Sequence, residues 1–394
     1  MADTRRDIWN DDDGEEVSRG SGKLRTFLIF FLTLVVVLGV VVFAAYRDGT
    51  GLDVLRRYLN YGGSEKSGGE TIYEYDASAF NHYAALEETL VVLSDTGLHV
   101  LDANGGEIWS VAVNMAAPAL VQGGGRAAAY DVGGTELYVV DRDGLVKQFT
   151  TNEEEPFIAA SLNESGWLTV TAEKKNYKGC VSVYDDEMEL VFAFNSSRRF
   201  VMDAYVTDEN THLAAVTLGQ EDSVFVSNIV IYDLTKTEPD ADYDVSDGLV
   251  AAIGQQEEQL VTVSDTCLTI AGVDGEVAAT YPYGGVYLRD YDLGGEDFAV
   301  LLLNRYQSGS VGRLVSIGTD GMELGSLDVN EEVRDISAVG RYLAVLYADH
   351  LVVYNRDLQV YASLRGTENI RGVVMRPDGS AILLASERGS LFLP

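Results

Sequence analysis

Residues 90–100 read LVVLSDTGLHV and residues 260–270 read LVTVSDTCLTI, identical at six of eleven positions. Each is an apolar run, a tight polar turn and a second apolar run. The cadence recurs in LAVLYADHLVVY (343–354) and AILLASERGSLFL (381–393). Self-similarity at a fixed period marks a repeat architecture. The second run sets the register: LHVLD ends at Asp102, LYVVD at Asp141, VSVYD at Asp185 and IVIYD at Asp233. LTIAG then ends at Gly272, LVSIG at Gly318 and LVVYN at Asn355, with intervals of 37 to 48 residues that suit a propeller blade. Asn104-Gly105, Asp143-Gly144, Asp274-Gly275 and Asp320-Gly321 come directly after, the dipeptides that tight hairpins require.

A further run precedes each pair: APALV (117–121), FIAASL (157–162), MDAYV (202–206), LVAAI (249–253) and VRDISAV (333–339). A more polar run comes after it, such as EIWSVAV (107–113) or LVKQF (145–149). Four strands per repeat result, with both faces of each sheet packed on neighbours, so the in/out alternation is weak. Inner strands from His82–Leu86 to Ile370–Met375 count to eight. The expected fold is all-β, a single β-propeller of eight four-stranded blades over 70–394, with seven blades as the alternative. The last unit ends after its third strand, so Thr71–Asp76 is expected to supply the fourth and close the ring.

Of 394 residues, 62 are acidic and 28 basic, a net charge of −34, while 46% are hydrophobic. The apolar fraction excludes global disorder, and the charge disfavours nucleic acid as a partner. Six prolines and two cysteines exclude a disulfide scaffold.

Thr26–Tyr46 reads TFLIFFLTLVVVLGVVVFAAY without a charge, long enough to cross a bilayer about 30 Å thick. It exceeds a usual secretory apolar region, which favours an uncleaved signal-anchor. Residues 1–25 form a mixed-charge tail expected to be disordered and cytoplasmic. In 47–69, Leu52, Leu55 and Leu59 suggest a short juxtamembrane helix before a Gly/Ser-rich tether. Basic residues tie on the two sides of the span, so the large size of the C-terminal region decides orientation. The expected location is the cell membrane, single-pass, with the propeller extracytoplasmic.

DANGGEIW (102–109) resembles the Asp…Gly…Trp repeat of PQQ-type propellers, where the tryptophan docks on the next blade. Equivalent positions elsewhere are read as Phe149, Phe194 and Tyr281, so the resemblance extends to architecture and not to the cofactor. YEYDASAFNHYAAL (73–86) and PALVQGGGRAAAYDVGGTELYVVDRDG (118–144) resemble a family of membrane-anchored propellers of Gram-positive bacteria, a domain of unknown function. That resemblance implies location and fold, and no site residues.

His82, His99, His212 and His350 fall in separate repeats without ligand spacing, so no metal residue is nominated. Cys180 and Cys267 occupy one blade position two blades apart, too distant for a disulfide. They read as isolated buried thiols. Asp240–Asp244 imitates the start of a calcium loop, yet Val245 stands where glycine is needed and Ala251 where glutamate is needed. An acidic rim strand is the better reading. Asn163 and Asn195 begin glycosylation sequons. No catalytic or cofactor-binding residue is nominated, and no cofactor is expected. The expected function is a non-enzymatic module that binds a protein or envelope ligand. The alternative is a diverged propeller enzyme, a carbohydrate-active hydrolase or lyase or a quinoprotein, with carboxylates in the central funnel.

Overall fold

The computed structural model describes residues 21–47, 67–221, 224–245 and 248–394, with side chains over 27–40, 71–220, 224–245 and 248–394. The chain divides into two units, Met1–Arg56 and Arg57–Pro394.

Among the described residues of the second unit thirty-two strands form eight four-stranded antiparallel sheets. Blades 1 to 7 span His82–Ala112, Pro118–Thr150, Phe157–Asn195, Phe200–Val245, Val250–Pro282, Tyr287–Val329 and Val333–Arg365. Blade 8 takes Gly372–Met375, Ala381–Leu384 and Arg388–Phe392, and its outer strand is the N-terminal Ser67–Glu74. Eight blades, not seven, close the ring. Thr71 pairs with Ser390 and Glu74 with Arg388, so the closing strand lies where the truncated last repeat required it.

Packing on both faces explains the continuous apolar runs. In Thr89–Leu93 every residue is buried. Val91 and Leu93 pack with Ala127, Ala129 and Val140 of blade 2, while Leu90 and Val92 meet Tyr73, Ile382 and Leu391 of blade 8. The outer strand Glu107–Ala112 has only one covered face and alternates accordingly. The marker acids are turn caps. Asp102 accepts from the Asn104 amide at 2.8 Å, Asp185 from Glu187 at 3.0 Å and Asp233 from Thr235 at 2.8 Å. Gly105 adopts φ 81°, and a Cβ there would run into the Ile72 carbonyl oxygen of the closing strand.

Two readings are corrected. Trp109 does pack on the next blade, against Gly144. However, Val100 faces Trp109, whereas the matching pairs elsewhere are Val139 with Lys147, Val183 with Phe192 and Ile270 with Ala279. Phe149, Phe194 and Tyr281 lie two residues further along. The same bulge lies in all four outermost pairings, the Trp109 blade included. The second correction concerns blade 6, whose inner strand is YLRDYD (287–292), too polar to have appeared among the apolar runs.

In the first unit Ser21–Arg47 is an α-helix that contains the expected span. Among the described residues no helix is long and apolar enough to cross a membrane. The expected transmembrane helix is therefore not shown. The expected disordered tail lies almost wholly outside the described residues, as do the juxtamembrane helix and most of the tether.

Candidate functional site

Inner strands gather around the ring axis, and five of them carry a β-bulge near their start. The shifts fall at Phe157/Ala159, Val201/Asp203, Val250/Ala252, Leu288/Asp290 and Val333/Asp335. A bulge turns one residue out of the ladder and re-aims the next. The residues turned out include Met202, Arg289 and Arg334, all exposed. The next residues along in blades 4, 6 and 7 are Asp203, Asp290 and Asp335.

These three carboxylates, with Asp292, are half-buried acids of the inner strands. Desolvation pushes Asp203 up to about 7, Asp335 to about 7 and Asp292 to about 6, and it raises Asp290 as well. The charge of Asp203 is felt by Tyr130 of blade 2 and Tyr291 of blade 6. Asp290 in turn raises both Asp292 and Asp335. All four stand on inner strands, the strands nearest the ring axis.

Two of the acids latch adjacent blades. Asp292 Oδ2 accepts from the Ala338 amide at 2.8 Å, and Asp335 Oδ2 from the Val373 amide at 2.7 Å. Ser337 Oγ repeats the device by accepting from Met375 at 3.0 Å, and Ser161 donates to the Ala204 carbonyl at 2.6 Å. Asp203 and Asp290 accept only from the next amide in their own strand among the described residues. Those two retain an oxygen for the axis. The sequence held the signal as VMD (201–203), LRD (288–290) and VRD (333–335), but in an apolar-run reading such acids pass as interruptions of a strand.

The two faces of the disc differ. Inner strands all begin on one face, where the links between blades and the loops between second and third strands also lie. There Phe80, Phe200, Phe225, Tyr287 and Tyr306 are 48–63% exposed. In blade 4 the second and third strands run on past the start of the first, with Gly219–Glu221 paired to Val224–Val226 as a two-stranded ribbon carrying Phe225. Lys178 sits 4.3 Å over the Phe200 ring beside it. The opposite face holds the turns, with Asp102, Glu164, Glu257 and Asp320 among its acids. Val132, Tyr177, Val224, Leu249 and Val311 lie on the face where inner strands begin, in its links, loops and ribbon, and Met202 near the start of an inner strand. The remaining exposed large apolar side chains described in the propeller lie on outer strands or, for Met322, at the turn into one.

The residues that stand out in the sequence fall at separate places in the ring. Cys180 and Cys267 open the third strands of blades 3 and 5 and form no disulfide; Cys267 is buried, Cys180 half-buried, its thiol pushed up by desolvation. Ala241–Val245 is the outer strand of blade 4, and the Asn228 amide donates to both Asp242 and Asp244. Asn163 is buried, donating to Thr207 and Asn210, so its sequon is occupied by structure. The histidines do not converge. Two groups with metal-ligand spacing form among the described residues. In His212, Asp233 and Asp240 the cation position is taken by Lys236, 2.6 Å from Asp240. In Glu331, Asp349 and His350 the imidazole Nδ1 lies 2.8 Å from Asp349 and 3.9 Å from Glu331.

The sequence profile of the family of unknown function DUF5711 matches residues 64–388, from just before the closing strand into the last blade. The chain belongs to that family. No curated protein matches this DUF5711 chain. Among solved structures it is similar to the C-terminal WD40 domain of Sif2, at 15% identity and TM-score 0.58, covering 82% of this chain and 98% of that one. It is also similar to the computationally designed Ika8 protein, at 13% identity and TM-score 0.55, covering 83% and 100%. A third is the quinohemoprotein alcohol dehydrogenase ADHIIG of Pseudomonas putida HK5, at 10% identity and TM-score 0.51, covering 83% and 73%. At such identities the likeness is one of fold, shared by enzymes and non-enzymes.

Proposed function

We propose that this DUF5711 chain is a non-enzymatic binding module, held at the cell membrane by Thr26–Tyr46 and docking a protein through the face where its inner strands begin. One observation carries the reading: apolar side chains left in solvent are concentrated on that face and on the outer strands, while the turn face is polar and acidic. Exposed aromatic side chains gathered on one face are what a binding surface presents. The anchor rests on an uncharged run of 21 residues inside a helix, and the exported orientation on the size of the propeller.

The axial carboxylates favour a second reading, an enzyme, because acids shifted toward neutrality suit proton transfer. Two of the four are consumed as latches to the next blade, which supports a structural role over a catalytic one.

A photo-crosslinking residue at position 200 or 225 of the membrane-bound chain should give discrete protein adducts, and one at Leu190 on an outer strand should give none. Phe200→Glu with Phe225→Glu should weaken capture of that partner by about 30-fold, the scale of a hot-spot loss. Adducts at position 190 alone, or reproducible turnover of an envelope glycan or a quinone-linked alcohol, would overturn the reading.

A further inference from the structure

A cleft of about 520 Å³ opens on the same face where blades 7 and 8 meet. That volume lies within the range of small-molecule sites. Three arginines from three segments line it, an unusual concentration on a chain of net charge −34. Arg334 is the bulge residue of the blade 7 inner strand. Arg371 precedes the blade 8 inner strand, and Arg388 opens its third strand.

Several cations elsewhere in the propeller pair with carboxylates: Arg142 lies 2.9 Å from Glu87, Arg313 2.9 Å from Glu323 and Lys236 2.6 Å from Asp240. In the cleft they do not. Glu368 and Glu387 line the same walls, yet neither comes within ion-pair distance of any of the three arginines. Among the described residues the side chains of Arg371 and Arg388 form no hydrogen bond or salt bridge. Arg334 is held in place, its Nη1 donating to the carbonyls of Glu368 and Ile370, both at 2.9 Å. This fixes a guanidinium plane at the wall with its other donors unspent. A guanidinium fork matches a carboxylate or phosphate, giving two parallel charge-assisted hydrogen bonds.

We propose that this cleft binds a small anion through Arg334, Arg371 and Arg388, its charged group a phosphate or carboxylate. Glu368, Glu387 and Asn369 face the polar remainder of the ligand and, by charge, limit how many negative groups it carries. The site needs no protein partner, and its lining includes none of the five exposed aromatics.

Calorimetric titration of the full-length chain in an uncharged detergent tests this, with inorganic phosphate and citrate as separate probes at constant ionic strength. Saturable binding of at least one is expected. Phosphate alone assigns a phosphoryl ligand and citrate alone a carboxylate. R371Q with R388Q should weaken it at least about tenfold, the loss of charge-assisted hydrogen bonds. E368Q with E387Q should tighten it, and serves as the deciding variant if the arginine pair destabilises blade 8. No saturable heat with either probe at about 20 mM overturns the site, a concentration that would reveal even millimolar affinity. So does equal affinity in wild type and E368Q/E387Q.

Discussion

Asp203 and Asp233 are the same residue type in one blade, yet their carboxyls move in opposite directions. The hydroxyl and amide of Thr235, and then Lys236, hold Asp233 down to about 2. Asp203 is half-buried and accepts one amide, so desolvation pushes it up to about 7. A folded-state value above the unfolded one, near 3.9, means that the folded chain binds the extra proton. That contribution is full below about pH 4 and lost as pH rises through about 7. Asp335 acts in the same sense, and Asp292 does so up to about 6. Stability should therefore fall from pH 5 to pH 8, opposite to the trend set by salt-bridged carboxylates. Asp203→Asn keeps the oxygen that accepts from Ala204 and removes the charge. At pH 8 it should be more stable than wild type by roughly 1–3 kcal/mol, one pH unit being about 1.4 kcal/mol, with the gap closing toward pH 5. Urea unfolding at the two pH values measures this, and a variant less stable at pH 8 would show that the carboxylate is paired.

The closing strand makes the ring depend on a segment about 310 residues away in sequence, as the Tyr75 bond to the Ala385 carbonyl marks. Tyr73 is its anchor, 1% exposed, packed with Leu90, Ile382 and Leu391 and accepting from Arg376 at 3.0 Å. Tyr73→Ala removes an aromatic ring from a close-packed seam and should cost about 3–5 kcal/mol, read as a lowered urea midpoint. A loss below about 1 kcal/mol would mean that the seam is not closed by this strand. Such elements were legible in proportion to their burial. Second and third strands are packed on both sides, so Leu90–Leu93 and Leu260–Val263 stand out as apolar runs, and Asn104-Gly105 or Asp274-Gly275 punctuate them. Inner strands were harder because a bulge admits a polar residue at the axis, and YLRDYD was hidden by its own acids. Outer strands misled by two residues because half-exposed strands carry aromatics at more than one position, Phe192 and Phe194 both standing in Leu190–Asn195. The axial acids and the arginine cleft come from separate blades, and only the closed ring sets them side by side.

At the scale of the whole molecule the question is which electrostatic effect of salt prevails. Local pairs such as Arg142 with Glu87 and Arg313 with Glu323 lose attraction as salt rises, which lowers stability. Both are exposed, and such pairs contribute about 0–1 kcal/mol each. Against them stands the self-repulsion of a chain with 62 acids and 28 bases, in which most carboxylates have no basic partner. At about 0.01 M salt the screening length is about 30 Å, so acids on different blades repel one another across the disc, whereas at about 0.15 M it shrinks to about 8 Å. Relief of this repulsion should exceed the loss of a few exposed pairs. Raising sodium chloride from about 10 to about 150 mM at pH 8 should therefore raise the melting temperature of the propeller, since like-charge repulsion destabilises the compact state. The rise should be smaller at pH 5, where the axial acids are protonated and the surface acids begin to titrate as well. A differential scan at four combinations of salt and pH measures both. If melting falls with salt at pH 8, the ion pairs outweigh the repulsion, and the acidic turn face must be stabilised by counter-charges beyond those described.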